Sequence, residues 1–211
     1  MMRVTGAVLL TCCALLAGAT AACGGQRSRE ELSRARKALA QVDDPSVDFT
    51  DRAGTGWQPP FRPADERCGK LFDLAEGKQG PGVAEAASFR GDRLGETAGV
   101  VLAAYAPGDA RQALRTAADL MRDCPVATVK AAGAGDRLVG SPLPVRTIGD
   151  GVEARRYKGR VGGYPYEMHL VVVRTGGILI SLVHTGMAKL DPQRTEDLAT
   201  LLAAKVREAS Q

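Results

Sequence analysis

Apolar and polar positions follow two rhythms along this chain, one helical and one of strands. Leu32, Ala35, Leu39 and Val42 recur every three or four residues with charges between them, which predicts an amphipathic helix over 29–42. Ser28-Arg29-Glu30-Glu31 forms a capping box at its start, and Asp43-Asp44-Pro45 stops it, because the residue before proline avoids helical angles. Residues 48–63, rich in Gly, Pro and polar side chains, read as an irregular segment around Trp57. A short helix is expected around Cys68. A longer stripe of Ala110, Ala113, Leu114, Ala117, Leu120, Met121 and Cys124 predicts a helix that opens at Pro107-Gly108-Asp109 and ends at Pro125. A last helix opens at Asp191-Pro192, with Leu198, Leu201, Leu202 and Val206 as its apolar face.

Between the helices the pattern shortens. Residues 83–89 and 97–105 predict two strands joined by a turn at Gly91-Asp92 and Gly95. Residues 126–130, 145–148, 151–157, 166–174 and 178–184 predict further strands, and 132–144 a loop. Thr175-Gly176-Gly177 between two apolar runs is the strongest local signal, a two-residue hairpin turn. The element order predicts one α+β domain, a mainly antiparallel sheet with flanking helices.

The start of the chain changes how the rest is read. Residues 4–16 form an apolar run behind Arg3, of the length of a signal h-region and short of the roughly 20 residues a membrane span needs. Thr20-Ala21-Ala22-Cys23 resembles a bacterial lipobox, in which cleavage falls before the cysteine and its sulfur takes a diacylglyceryl group. The expected organisation is a signal peptide over 1–22, a tether and leading helix over 23–56, and the α+β domain over 57–211. Two acyl chains give a stable anchor, which puts the expected location at the outer face of the cytoplasmic membrane.

Of the five cysteines, Cys12 and Cys13 leave with the signal and Cys23 takes lipid. Cys68 and Cys124 remain as an even pair in an exported protein and are expected to form a disulfide. The net charge of +4 loses a unit with Arg3 and is too small for a nucleic-acid footprint.

The usual catalytic signatures are missing. There is no G-x-S-x-G, no H-E-x-x-H and no Walker sequence. Gly133-Ala134-Gly135 lacks the third glycine of a dinucleotide turn. The chain is expected to be non-enzymatic, with no cofactor, no metal and no nucleic-acid partner. Aromatic residues make up only 4% of the chain, too few to suggest a stacking ligand. Two features keep other readings open. If Gly176 and Gly177 are the turn residues, His169 faces His184 across the hairpin, about 5 Å apart at the β-carbons. If the turn sits one residue earlier, His184 faces Glu167. Arg155, Arg156, Lys158 and Arg160 form a basic cluster around a strand, which reads as a solvated strand face, with contact to anionic lipid headgroups or an anionic polymer as the alternative.

From Trp57 to Ala209 the chain resembles the extracellular sensor domains of actinobacterial PknH-type kinases and the stand-alone lipoproteins related to them. The resemblance is carried by Cys68, by Tyr105-Ala106-Pro107-Gly108-Asp109-Ala110 opening a helix that ends in Cys124, and by Ile148-Gly149-Asp150. Leu170-Val171-Val172-Val173-Arg174-Thr175-Gly176 leads into the hairpin, and a final helix over 195–209 completes it. It implies an α+β domain with a cleft for an unidentified ligand. The kinase domains usually carry two disulfides, and one pair is available here. The readings that follow are a lipid-anchored ligand-binding or sensor-like domain, an envelope assembly lipoprotein acting through a protein partner, or an unrecognised hydrolase built around a nucleophile within reach of His169 or His184.

Overall fold

The computed structural model describes residues 26, 29–37, 49–54, 56–79, 84–106, 108–129 and 135–211. The expected signal peptide, Cys23, Ser28 and the last turn of the first helix lie outside the described residues.

Eight strands form one antiparallel sheet: β1 (Phe49–Gly54), β2 (Ala84–Gly91), β3 (Thr97–Ala104), β4 (Val126–Thr128), β5 (Arg137–Pro142), β6 (Gly151–Val161), β7 (Tyr164–Thr175) and β8 (Ile178–Gly186). Their spatial order is β1-β2-β3-β8-β7-β6-β5-β4. The helices are α1 (29–37), α2 (Glu66–Ala75), α3 (Asp109–Asp123) and α4 (Pro192–Ala209). The expected α+β class with a mainly antiparallel sheet is what the structure has.

The sheet is covered on both faces. One face carries Leu138, Tyr157, Met168, Leu170, Val172, Leu179 and Val183, packed under α2 and α3 with Trp57 and Phe61. The other carries Ala98, Val100, Leu102, Val171, Val173, Ile180 and Leu182, packed under α4 and α1. Double coverage explains why β7 and β8 read as nearly continuous apolar runs rather than alternating ones. The hairpin between them pairs Thr175 with Ile178, so Gly176 and Gly177 are the turn residues. Gly176 has φ 60°, the left-handed first position of a tight hairpin turn that glycine fills without strain.

Three expectations are corrected. The segment read as irregular contains β1, whose pairing with β2 has two register shifts; those irregularities erase the period-two pattern. The expected loop over 132–144 contains β5, disguised by Gly140, Ser141 and Pro142 but fully paired with β6. The expected strand over 145–148 is not one. It crosses the sheet face with Leu143 and Ile148 buried, and Arg146 N–H donates to Glu196 of α4 instead of to a strand. Leu32 and Ala35 of α1 and Phe49 of β1 share the core with α4.

Candidate functional site

Two places on the sheet gather chemistry, one on each face. On the α4 face the register places His169 directly opposite His184, the arrangement the Gly-Gly turn predicts. Asp191 caps α4 by accepting from Gln193 N–H, and the first turn lowers Thr195 onto the pair. The Thr195 hydroxyl lies 2.7 Å from His169 Nδ1 and 2.8 Å from His184 Nδ1. His169 Nε2 meets Glu167 Oε1 at 3.0 Å, and His184 Nε2 meets Glu96 Oε1 at 2.8 Å.

The chain continues to the surface at both ends. Lys158 Nζ lies 3.2 Å from Glu167. Arg194 Nη1 lies 3.5 Å from Glu96 and 2.6 Å from Asp92. Both histidines and Thr195 are fully buried, and the two glutamates nearly so. Glu96 reaches its place because Gly91 is opposite: a β-carbon there would stand 2.4 Å from Glu96 Oε2. Phe49 closes the end, edge-on to His184 at 5.2 Å and beneath the Arg194 guanidinium at 4.7 Å, a cation–π contact.

With each neutral ring assigned Nε2–H toward its glutamate, both Nδ1 atoms accept, and the single Thr195 proton serves only one of them or the Asp191 carbonyl at 3.2 Å; in that assignment the two imidazoles are inequivalent. Burial disfavours the charged form of both. It lowers His184 to about 4 against the pull of Glu96, and it lowers His169 against the pull of Glu167. Arg156 and Lys158 push His169 the same way as burial does. A hydroxyl beside a histidine is the geometry a nucleophile needs, so the hydrolase reading finds its pair. Thr195 is nonetheless wholly buried. Among the described residues no group of three or more His, Cys, Asp or Glu is placed to hold a metal ion. Sequence reasoning found the two histidines but missed Thr195, Glu96 and Arg194, which come from a helix start and a turn far away in the chain.

On the other face Cys68 and Cys124 are disulfide-bonded, with Cα atoms 4.9 Å apart across a sequence separation of 56. Asp65 caps α2 by accepting from Arg67 and Cys68 N–H, which fixes the first cysteine. The bridge clamps α2 against the end of α3. Tyr157, fully buried beneath, donates to the Cys124 carbonyl at 3.2 Å. Beside the clamped helices a surface groove of about 300 Å³ opens, lined by Leu74, Gln79, Tyr105, Asp109, Gln112, Ala113 and Thr116. Tyr105 belongs to the Tyr-Ala-Pro-Gly-Asp phrase picked out in the sequence, and its N–H donates to the Gly177 carbonyl. The basic cluster is divided by the sheet. Arg156, Lys158 and Arg160 share the α4 face, while Arg155 points to the other, beside Gly140.

The chain is thus an α+β domain with helices on both faces of one antiparallel sheet. No family model matches it, and no curated protein does. Among solved structures it is similar to the extracellular domain of PknH from Mycobacterium tuberculosis, at a TM-score of 0.48 and 14% identity over 59% of this chain and 64% of that one. The match spans less than two thirds of that domain. It is also similar to an uncharacterized protein from Mycobacterium smegmatis, at a TM-score of 0.46 and 17% identity over 83% of this chain and 96% of that one. No helix among the described residues is long and apolar enough to cross a membrane.

Proposed function

We propose that this is a lipid-anchored extracytoplasmic binding domain, non-enzymatic, that takes a small ligand in the groove between the end of α2 and the start of α3. Residues 1–22 direct export, and Cys23 carries the acyl anchor at the outer face of the cytoplasmic membrane. The observation that carries the binding reading is the groove itself. Its volume of about 300 Å³ reaches the lower end of the range for small-molecule sites, and it has the matching composition, an apolar wall with a few polar groups. Leu74, Ala113 and the Tyr105 ring supply the wall. Asp109, Gln79, Gln112 and Thr116 supply one carboxylate and several hydrogen-bonding groups. A ligand with an apolar body and a donor or cationic head fits that set.

The assembly alternative asks for a large apolar surface patch. The exposed large apolar side chains among the described residues are Leu94, Val139, Tyr164 and Met187. Met187 lies beside Gly95 of the Leu94 turn, Tyr164 is at the same end of the sheet on β7 and Val139 two strands further on β5; the small-ligand reading is carried by the groove.

Two separate measurements test the two halves. Metabolic labelling with a fatty-acid probe marks the wild-type chain and not Cys23→Ala; a labelled Cys23→Ala variant ends the anchor reading. Nile red, a neutral fluorophore with an apolar body, brightens with the wild-type protein and not with Ala113→Trp, which fills the groove. Equal brightening in both, with both proteins melting alike, ends the groove reading.

A further inference from the structure

The α4 face of the sheet is covered only in part. Beyond the helix, β4, β5 and β6 present a bare strip whose rows the register defines. Thr128, Arg137 and Arg160 form one row, Val126, Val139 and Lys158 the next, and Ser141 and Arg156 the third. Successive rows stand about 6.8 Å apart along the strands. Arg137, Lys158 and Arg160 are exposed, Val139 is 43% exposed and Arg156 is half-buried.

The cations on this strip are short of partners. Lys158 has Glu167. Arg156 donates from Nε to the Ser141 hydroxyl at 3.2 Å, and Arg160 from Nε to the Gly163 carbonyl at 3.1 Å. These neutral acceptors orient the side chains without cancelling charge. Among the described residues no carboxylate forms an ion pair with Arg137, Arg156 or Arg160. The nearby acids are engaged: Asp136 accepts from Gly162 N–H, and Glu196 and Asp197 of α4 pair with Arg146. Arg137 and Arg160 also stand directly opposite each other, a like-charge pairing that destabilises a sheet. A sheet that keeps an unfavourable pair exposed, with no carboxylate ion-paired to it among the described residues, is complementary to an external anion.

We propose that this strip binds an extended anionic polymer bearing phosphate groups, laid over the three rows. The guanidinium fork of arginine takes phosphate oxygens in pairs. No aromatic side chain lies on the strip, so the contact is to charged backbone groups and offers no stacking for bases. Its position selects a polymer over lipid headgroups. The Arg160 row is nine residue steps along the β6–β7 ladder from Arg174, about 30 Å away. At that far end, Glu31 of α1 lies against Gly177. Glu31 is eight residues past Cys23 in the chain, so the tether meets the domain at the Gly177 end and the strip lies at the opposite end of the sheet. This choice of source rests on the anchor reading; the affinity for phosphate does not.

The test uses the full chain in detergent solution with fluorescein-labelled inorganic polyphosphate, read by anisotropy across salt concentrations. Wild type binds, and its affinity falls steeply with salt. Arg137→Gln/Arg160→Gln keeps the fold, weakens binding at least tenfold and lowers the salt slope by about two, one per lost phosphate contact. Arg111→Gln/Arg115→Gln on α3 removes the same charge elsewhere and leaves binding unchanged. Equal losses in the two double variants reduce the effect to net charge and overturn the proposal, as does the absence of binding. Tighter strip-dependent binding to phosphatidylglycerol vesicles, or to single-stranded DNA, overturns the assignment to a phosphate polymer.

Discussion

The two faces of this sheet are built on different principles. The α2–α3 face is apolar and covalently stapled, with Trp57, Phe72 and Phe61 packed together and a disulfide holding its helices. The α4 face has no cross-link among its described residues and buries a hydrogen-bonded chain of Glu167, His169, Thr195, His184 and Glu96. An apolar layer tolerates imperfect fit, because dispersion and burial are non-directional. A buried polar chain does not, because each lost partner leaves a desolvated group behind. The stapled face can therefore support an open groove beside its helices. The histidine face must stay closed.

The largest effect should come from cutting the staple. Cys68→Ser frees a loop of 56 residues, and chain-entropy arguments put the loss at about 4 kcal/mol. Urea unfolding of the variant, beside wild type with and without reductant, measures it. A loss under about 1 kcal/mol would mean that packing alone clamps α2. The polar face should answer next. Thr195→Val keeps the volume but leaves both Nδ1 atoms facing a methyl, which costs about 2–3 kcal/mol. Thr195→Ser should recover most of that. If valine is tolerated as well as serine, the hydroxyl is not the bridge between the rings.

The faces should also fail at opposite ends of the pH scale. On the α4 face both histidines have folded pKa values below the ordinary 6.5, His184 at about 4. The unfolded chain then takes protons that the folded one refuses, so stability is full above pH 6.5 and declines as pH falls toward 4. On the α2–α3 face Tyr105, Tyr157 and Tyr166 are held above the ordinary value of 10 by burial. There the contribution is intact below pH 10 and lost as pH rises past it. Urea midpoints from pH 4 to 11 should show a plateau with two flanks. His169→Gln/His184→Gln should flatten the acid flank and leave the alkaline one.

The stapled face was largely legible in the sequence, and the histidine face only half so. The stripe from Ala110 to Cys124 and the even cysteine pair are local or countable signals, and both survive in the structure. His169 facing His184 was legible because Gly176-Gly177 sets the register over a few residues. Thr195 was not, since it reaches the pair only through the docking of α4. Glu96 needed the geometry of the 91–96 turn, and β5 was hidden because Gly140 and Pro142 carry loop composition into a paired strand. The groove is invisible in one dimension because its walls come from α2, the end of β3 and α3.

The smallest and most discriminating contrast uses one substitution on each face. Asp65→Ala and Asp191→Ala both remove a helix cap that accepts backbone N–H groups, and each should cost about 1 kcal/mol. Their local consequences should differ. α2 is held three residues past its cap by Cys68, so its amides should stay protected from hydrogen exchange. α4 has no such restraint, and the residue one turn past its cap is Thr195. Loosening that turn should shift the imidazole resonances of both histidines and raise exchange at the start of α4. If Asp191→Ala leaves those resonances in place, the cap does not position Thr195, and α4 is set on the pair by packing of Leu198 and Leu202 alone.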